Sequence, residues 1–190
     1  TTQVLFREIL SANIDIDKNI ANCLMTGLIT DTGRFQYSNT DNEVFEIASK
    51  LMLSGAELTS ISDNIYGSIP MNAIKLQSEV LNRIELHEEE ELVVSYVLQE
   101  DYLNYNIESS ETDFLIDSIR LVKESSVALL LKEQQDKSFK GSLRSRNELD
   151  VQQIASLFGG GGHKAASGFS TNLSIEEIKN KVKNAIKSQV

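Results

Sequence analysis

Leu92-Val93-Val94-Ser95-Tyr96-Val97-Leu98 is a run of aliphatic, β-branched and aromatic side chains without helical spacing, and it reads as a strand. Val127-Ala128-Leu129-Leu130-Leu131 is a second apolar run, the pattern of a strand covered on both faces. Phe139 to Arg146 alternates: Phe139, Gly141 and Leu143 face one way, and Lys140, Ser142, Arg144 and Arg146 face the other. Between the first two runs, Phe114, Leu115, Ile119 and Val122 predict a helix near 111–122. Asp150 opens another helix, with Val151, Ile154, Ala155 and Phe158 on one face. Ser174-Ile175-Glu176-Glu177 is a capping box, and Ile175, Ile178, Val182 and Ile186 form the stripe of the last helix. After residue 91 the chain therefore reads as α/β, with about four strands and about three helices.

Upstream, the first 88 residues read as mostly helical. Ile16, Ile20, Leu24 and Leu28 recur at helical steps behind Asp15 and Asp17, either of which can cap, and the pattern stops at Asp31-Thr32-Gly33. Thr40-Asp41-Asn42-Glu43 has the form of a capping box, followed by Val44, Ile47, Ala48 and Leu51 until Gly55. A short helix over 56–66 closes at Gly67, and Pro70 suits the first turn of a helix continued by Met71, Ile74, Leu81 and Ile84. Glu85 to Glu91 is the sharpest shift in composition and reads as a solvated helix end and loop at a domain boundary. The expected organisation is a mostly helical segment over 1–67, a linker helix and acidic loop over 68–88, and a small mixed-sheet α/β domain over 89–190.

The chain has 190 residues, 41% hydrophobic and 24% charged, a globular balance. One cysteine excludes an internal disulfide and a multi-Cys zinc cluster, and two histidines exclude a His-rich metal site made by this sequence alone. Cys23 sits on the apolar helix 16–28, where packing is the expected role, and His87, beside the glutamates, is expected in solvent. No run approaches the ~18 apolar residues of a membrane span, no signal-peptide pattern is visible, and a cytoplasmic location fits. The sequence enters a helical pattern directly after Thr1-Thr2, as a processed chain or a piece of a longer protein would. A net charge of −10 argues against a general nucleic-acid coat. The charge is uneven: 1–131 hold 8 Lys+Arg against 22 Asp+Glu, whereas 132–190 hold 10 against 6. The last third is where an anionic ligand is expected, although Lys179, Lys181, Lys183 and Lys187 read as the solvated face of a helix.

Half of the ten glycines fall in 159–168, Gly159-Gly160-Gly161-Gly162-His163-Lys164-Ala165-Ala166-Ser167-Gly168. One glycine suffices to end a helix; four in a row, followed by His163 and Lys164, favour a bend that brings backbone N–H groups close to a ligand. It is neither a Walker loop, which requires Gly-Lys-Ser/Thr, nor a dinucleotide fingerprint, which follows a strand. On the strand before it, Arg144 and Arg146 are expected side by side, roughly 6.5–7 Å apart, a spacing that suits two negative groups of one ligand. An edge strand charged against aggregation is the competing reading. Asp31, on a tight turn with Gly33, is of the type that binds a hard cation, but on the residues alone a helix terminator bonded to its own loop is the better reading. Tyr102 and Tyr105 suit base stacking or loop packing equally.

Gly27-Leu28-Ile29-Thr30-Asp31-Thr32-Gly33-Arg34-Phe35-Gln36-Tyr37-Ser38-Asn39-Thr40 resembles the fourth conserved motif of DHH-family phosphoesterases. Phe158 to Phe169 resembles the hallmark of the DHH-associated C-terminal domain, and Gly141 to Arg146 its preceding substrate strand. The three occur in the family's order, and the oligoribonuclease/pAp-phosphatase branch is the best match. The resemblance implies two lobes around a cleft, with manganese ions in the first activating a water for attack on a phosphate ester. Asp31 matches a metal ligand; Arg144, Ser145, Arg146, Gly160, Gly161, Gly162 and His163 match positions that grip substrate, His163 as a phosphate or base contact. The Asp-His-His signature itself does not occur in these residues, so the chain resembles the C-terminal portion of such an enzyme and is expected to be inactive alone. The implied partners are short single-stranded RNA, other oligonucleotides or pAp, with a homodimer allowed and no membrane. The rival reading is a non-catalytic single-stranded nucleic-acid-binding module, since similar glycine-rich domains are appended to proteins such as alanyl-tRNA synthetases.

Overall fold

Two aspartates begin the helical part in the way short acidic side chains do: Asp17 accepts from the Ile20 amide at 2.9 Å and Asp41 from the Val44 amide at 3.0 Å. The helices they start are α2 (Lys18–Asp31) and α3 (Asn42–Leu53), flanked by α1 (Thr2–Ser11) and α4 (Leu58–Tyr66). The computed structural model describes residues 1–36, 39–146 and 148–189, in two compact units, Thr1–Ile69 and Pro70–Val190. In the first unit α2 buries Ala21, Leu24, Met25, Leu28 and Ile29 against Phe6, Val44, Ile47, Leu51 and Ile61. Cys23 lies off that stripe and is exposed, contrary to the expected packing role.

The second unit contains α5 (Met71–Asn82), β1 (Glu85–His87), β2 (Leu92–Val97), α6 (Gln99–Tyr105), α7 (Leu115–Ile119), β3 (Val127–Glu133) and β4 (Phe139–Ser145). It continues with α8 (Val151–Ser156), β5 (Gly161–His163), β6 (Ala166–Thr171) and α9 (Ile175–Lys187). The strands form one mixed sheet of order β1-β2-β3-β4-β6-β5, in which only the β2–β3 pairing is parallel. The α/β class is as expected, with two strands more than the apolar pattern predicts. Both extra strands are three residues long, and they lie in the glutamate and glycine runs, which carry no alternation to reveal them.

The two faces of the sheet are covered unequally. On one, α8 and α9 pack over Leu92, Val94, Leu129, Leu131, Leu143 and Phe169. On the other, α5, α6 and α7 pack over Val93, Val97, Ala128 and Leu130, and no side chain of β4, β5 or β6 joins that cluster. Helix α5 was expected as a linker, yet its Ala73, Leu76 and Val80 are core residues of this face. The helix expected near 111–122 is a 3-10 turn, Ser109–Thr112, followed by the short α7.

The glutamate run is not a solvated loop. Glu85–His87 is the edge strand β1, and Glu88–Glu90 form a 3-10 turn. The Glu90 side chain is 2% exposed, 2.9 Å from Lys187 and 3.6 Å from Lys183. Lys179, 7% exposed, lies 2.7 Å from Glu85 and 2.5 Å from Glu176. Each charge run looks solvated by itself; folding sets them against each other. His87, expected in solvent, is a half-buried strand residue for the same reason. The contact with Lys187, then the Lys183 charge, holds the Glu90 carboxyl below its ordinary value of 4.5. A carboxyl shifted down stabilises the fold fully above that ordinary value and loses this contribution as pH falls through the lowered one. Glu90→Gln should therefore reduce stability at pH 7, and its deficit should shrink on acidification, as urea melts across that range would show.

Candidate substrate-binding site

Residues paired directly across antiparallel strands share a face of the sheet. On the face that α7 leaves open, β4 presents Lys140, Ser142 and Arg144, and β6 sets Ser170, Gly168 and Ala166 opposite them. Strand β5 adds Gly161 opposite Gly168 and His163 opposite Ala166. Two rows result, Ser142–Gly168–Gly161 and Arg144–Ala166–His163. Their middle positions carry at most a methyl group, so the floor is low and the long cationic side chains stand above it. A cavity of about 350 Å³ occupies this floor, lined by Lys140, Ser142, Arg144, Gly161, Gly162 and Asp113. Its volume is at the small end of the range for small-molecule sites. Two cations, a hydroxyl and glycine backbone in one small concavity can hold a phosphate-sized anion.

Of the residues singled out from sequence, Arg144, Gly161 and Gly162 line this cavity. His163 shares the face and row of Arg144 but lies at the exposed edge, outside the lining. Ser145 pairs with Val127 and points to the opposite face. Arg146 lies beyond the end of β4 and outside the cavity lining. Strand β4 ends at Ser145, the Arg146 amide donates to Ser126 O at 3.0 Å, and its guanidinium donates to Val122 O at 3.2 Å. Lys140, Asp113 and the buried Lys132 behind it were not singled out. Alternation already placed Lys140 on the right face, whereas nothing local marks Asp113, which reaches the cavity from the turn before α7.

The glycine run is a strand entry rather than a loose bend, and its members differ in what they are for. A Cβ on Gly160 would sit 2.2 Å from Gly168 O, and one on Gly162 would sit 2.6 Å from Ala166 O at a φ of +144°. These glycines, like Gly159 at φ +75°, are required by the backbone itself. Gly161 has open space around its missing Cβ and no left-handed φ, yet it faces the cavity. Gly160→Ala is therefore expected to destabilise the unit by about 1–3 kcal/mol, the cost of overpacking. Gly161→Ala should melt like the parent chain and bind ligand more weakly; equal loss of stability in both variants would contradict the distinction.

Asp31 is the last residue of α2, before a reversal in which Gly33, Arg34 and Phe35 all have positive φ. Its carboxylate accepts from Thr2 Oγ1 at 3.4 Å and lies 3.7 Å from the amino group of Thr1. Among the described residues no group of three or more His, Cys, Asp or Glu could hold a metal ion. Asp31 can offer one ligand, and these residues do not build a manganese centre. Tyr37 and Ser38 of the same motif lie outside the described residues. Tyr102 is buried under α5 and α7, so loop packing accounts for it. No described helix is long and apolar enough to cross a membrane.

Residues 89–188, which include the open half-face of the sheet and its glycine strand, match the DHHA1 domain family, and the chain belongs to it. Over 90% of its length it is 32% identical to the bifunctional oligoribonuclease and PAP phosphatase NrnA of Thermus thermophilus, covering 51% of that protein. It is 28% identical to a probable protein of the same name from Streptococcus mutans, over 94% of the chain and 57% of the relative. An A-adding tRNA nucleotidyltransferase of Aquifex aeolicus is 28% identical over 98% of the chain, which spans 22% of that protein. The crystal structure of an exopolyphosphatase-related protein from Bacteroides fragilis superposes with a TM-score of 0.91 at 25% identity, over 98% of this chain and 56% of that one. The chain thus spans about half the length of the two NrnA relatives and of that structure.

Proposed function

We propose that these residues are the substrate-holding part of a metal-dependent phosphoesterase acting on short oligonucleotides and on adenosine 3′,5′-bisphosphate (pAp). The observation that carries this reading is the shared cavity: Lys140 and Arg144 stand over a floor left low by Gly161, Gly168 and Ala166. Resemblance to the two phosphatases adds the substrate class. The role of the chain is to bind and orient phosphate. Manganese, when bound, would supply water activation; these residues contribute one candidate ligand, Asp31, and no hydrolytic step is assigned to them. A second reading, a non-catalytic nucleic-acid-binding module, is favoured by the match to a small part of a tRNA nucleotidyltransferase.

Calorimetric titration of the chain without manganese, using pAp, a diadenylate and a long single strand, separates the two. The phosphoesterase reading expects one site for pAp and the diadenylate, and no gain with length. Preference for the long strand with a steep salt dependence would favour the binding module.

A further inference from the structure

Asp113 is out of place in a cavity made for an anion. Among the described residues it is the one carboxylate in the lining, beside Lys140, Ser142, Arg144 and Gly161. Its Oδ1 lies 2.6 Å from Nζ of Lys132, whose side chain is 2% exposed and which also donates to Ser109 O and Thr112 Oγ1 at 3.4 Å each. The buried ammonium thus fixes the carboxylate from behind. The Asp113 side chain is 76% exposed, and its Oδ2, with no protein hydrogen-bond partner among the described residues, is open to solvent and to a ligand. Lys132 first, then the charges of Lys140 and Arg144, holds this carboxyl below the ordinary carboxylate range, so at neutral pH it accepts hydrogen bonds and does not donate them.

Phosphate oxygens are acceptors too and cannot satisfy Oδ2; they are repelled by it. A ligand gains from both sides of the cavity only if a hydrogen-bond donor lies next to its phosphate. In a nucleotide carrying a 3′-phosphate, that donor is the 2′-hydroxyl on the adjacent carbon. We propose that Asp113 is a specificity-determining residue that accepts a hydrogen bond from the ribose 2′-hydroxyl while Arg144 and Lys140 hold the neighbouring phosphate, so that the cavity selects ribonucleotides over deoxyribonucleotides. This deepens the phosphate-binding reading and rests on it.

The test compares pAp with its 2′-deoxy analogue, in which every other group is retained, by calorimetry on the 190-residue chain. The parent chain should bind pAp about tenfold more tightly, the worth of one hydrogen bond to a charged acceptor. Asp113→Ala should bring that ratio to about one while both ligands still depend on Arg144. Since that variant leaves Lys132 buried without its partner, the double variant Lys132→Met/Asp113→Ala supplies the same comparison in a chain freed of the charge. A parent ratio near one overturns the proposal alone if both ligands bind and Arg144→Ala weakens them. A ratio that survives Asp113→Ala also overturns it, and equal tightening of both ligands at an unchanged ratio would make Asp113 only the counter-ion of Lys132. If neither ligand binds the parent chain, the phosphate-binding reading falls, and this one with it.

Discussion

Arg144→Ala should weaken pAp binding by about ten- to a hundredfold without unfolding the chain. Arg144 stands on the open face of the sheet, outside both apolar clusters of its unit, and among the described residues its guanidinium donates to Leu143 O at 3.0 Å. Removing it costs no core contact. Hydrogen bonds from a charged donor contribute roughly 1.5–3 kcal/mol, which sets the expected factor. On the proposed reading, the guanidinium would grip a phosphate that is present in both the bound substrate and the transition state. In the complete phosphoesterase the substitution should therefore raise KM more than it lowers kcat. Lys140→Ala should follow the same pattern with a smaller effect, because an ammonium lacks the two-pronged fork. Calorimetry and steady-state kinetics check both. A large fall in kcat at constant KM would remove Arg144 from ground-state phosphate binding.

The largest stability effect is expected at Arg83, which is not among the residues lining the candidate site. Asp101 is 3% exposed, and Arg83 meets it with two parallel bonds, Nη1 to Oδ2 at 2.5 Å and Nη2 to Oδ1 at 2.9 Å. The Leu98 amide adds a third bond to Oδ2 at 2.7 Å, which closes the first turn of α6. Arg83→Ala strands a buried carboxylate, and breaking such a pair from one side costs about 3–5 kcal/mol. Urea unfolding should show the loss in the 70–190 unit. The double variant Arg83→Met/Asp101→Leu should recover much of it, since a buried pair replaced by apolar side chains is often neutral. A loss under about 1 kcal/mol for Arg83→Ala would mean that Asp101 is hydrated in the folded chain.

Much of the fold is legible because its causes are local. Asp17, Asp150 and Ser174 each cap the helix that follows, marked by side-chain chemistry within three residues, whereas α3 is capped by Asp41, one residue past the Thr40 that the capping-box pattern points to. Strands β2, β3 and β4 announce themselves by apolar content or alternation. Strands β1 and β5 do not: Glu85-Leu86-His87 and Gly161-Gly162-His163 are too short and mixed to show a pattern, and they are strands because β2 and β6 present free edges to pair with. The lysines of α9 likewise read as solvated until Glu85, Glu89 and Glu90, about ninety positions away, are placed against them.

What the sequence determined by itself is which face of β4 each residue occupies, since an alternating strand has a period of two and a backbone needs no partner to obey it. Lys140, Ser142 and Arg144 were bound to lie together. Whether their face would be open or roofed was a matter of tertiary structure alone, settled by a short α7 that covers β2 and β3, reaches the edge of the β4 cavity through Ile116, and leaves β5 and β6 open. The same global packing drew Arg146 to the Val122 carbonyl and brought Asp113 into a cavity of cations. Direction along a strand is a local property of the chain; company across a sheet belongs to the whole fold.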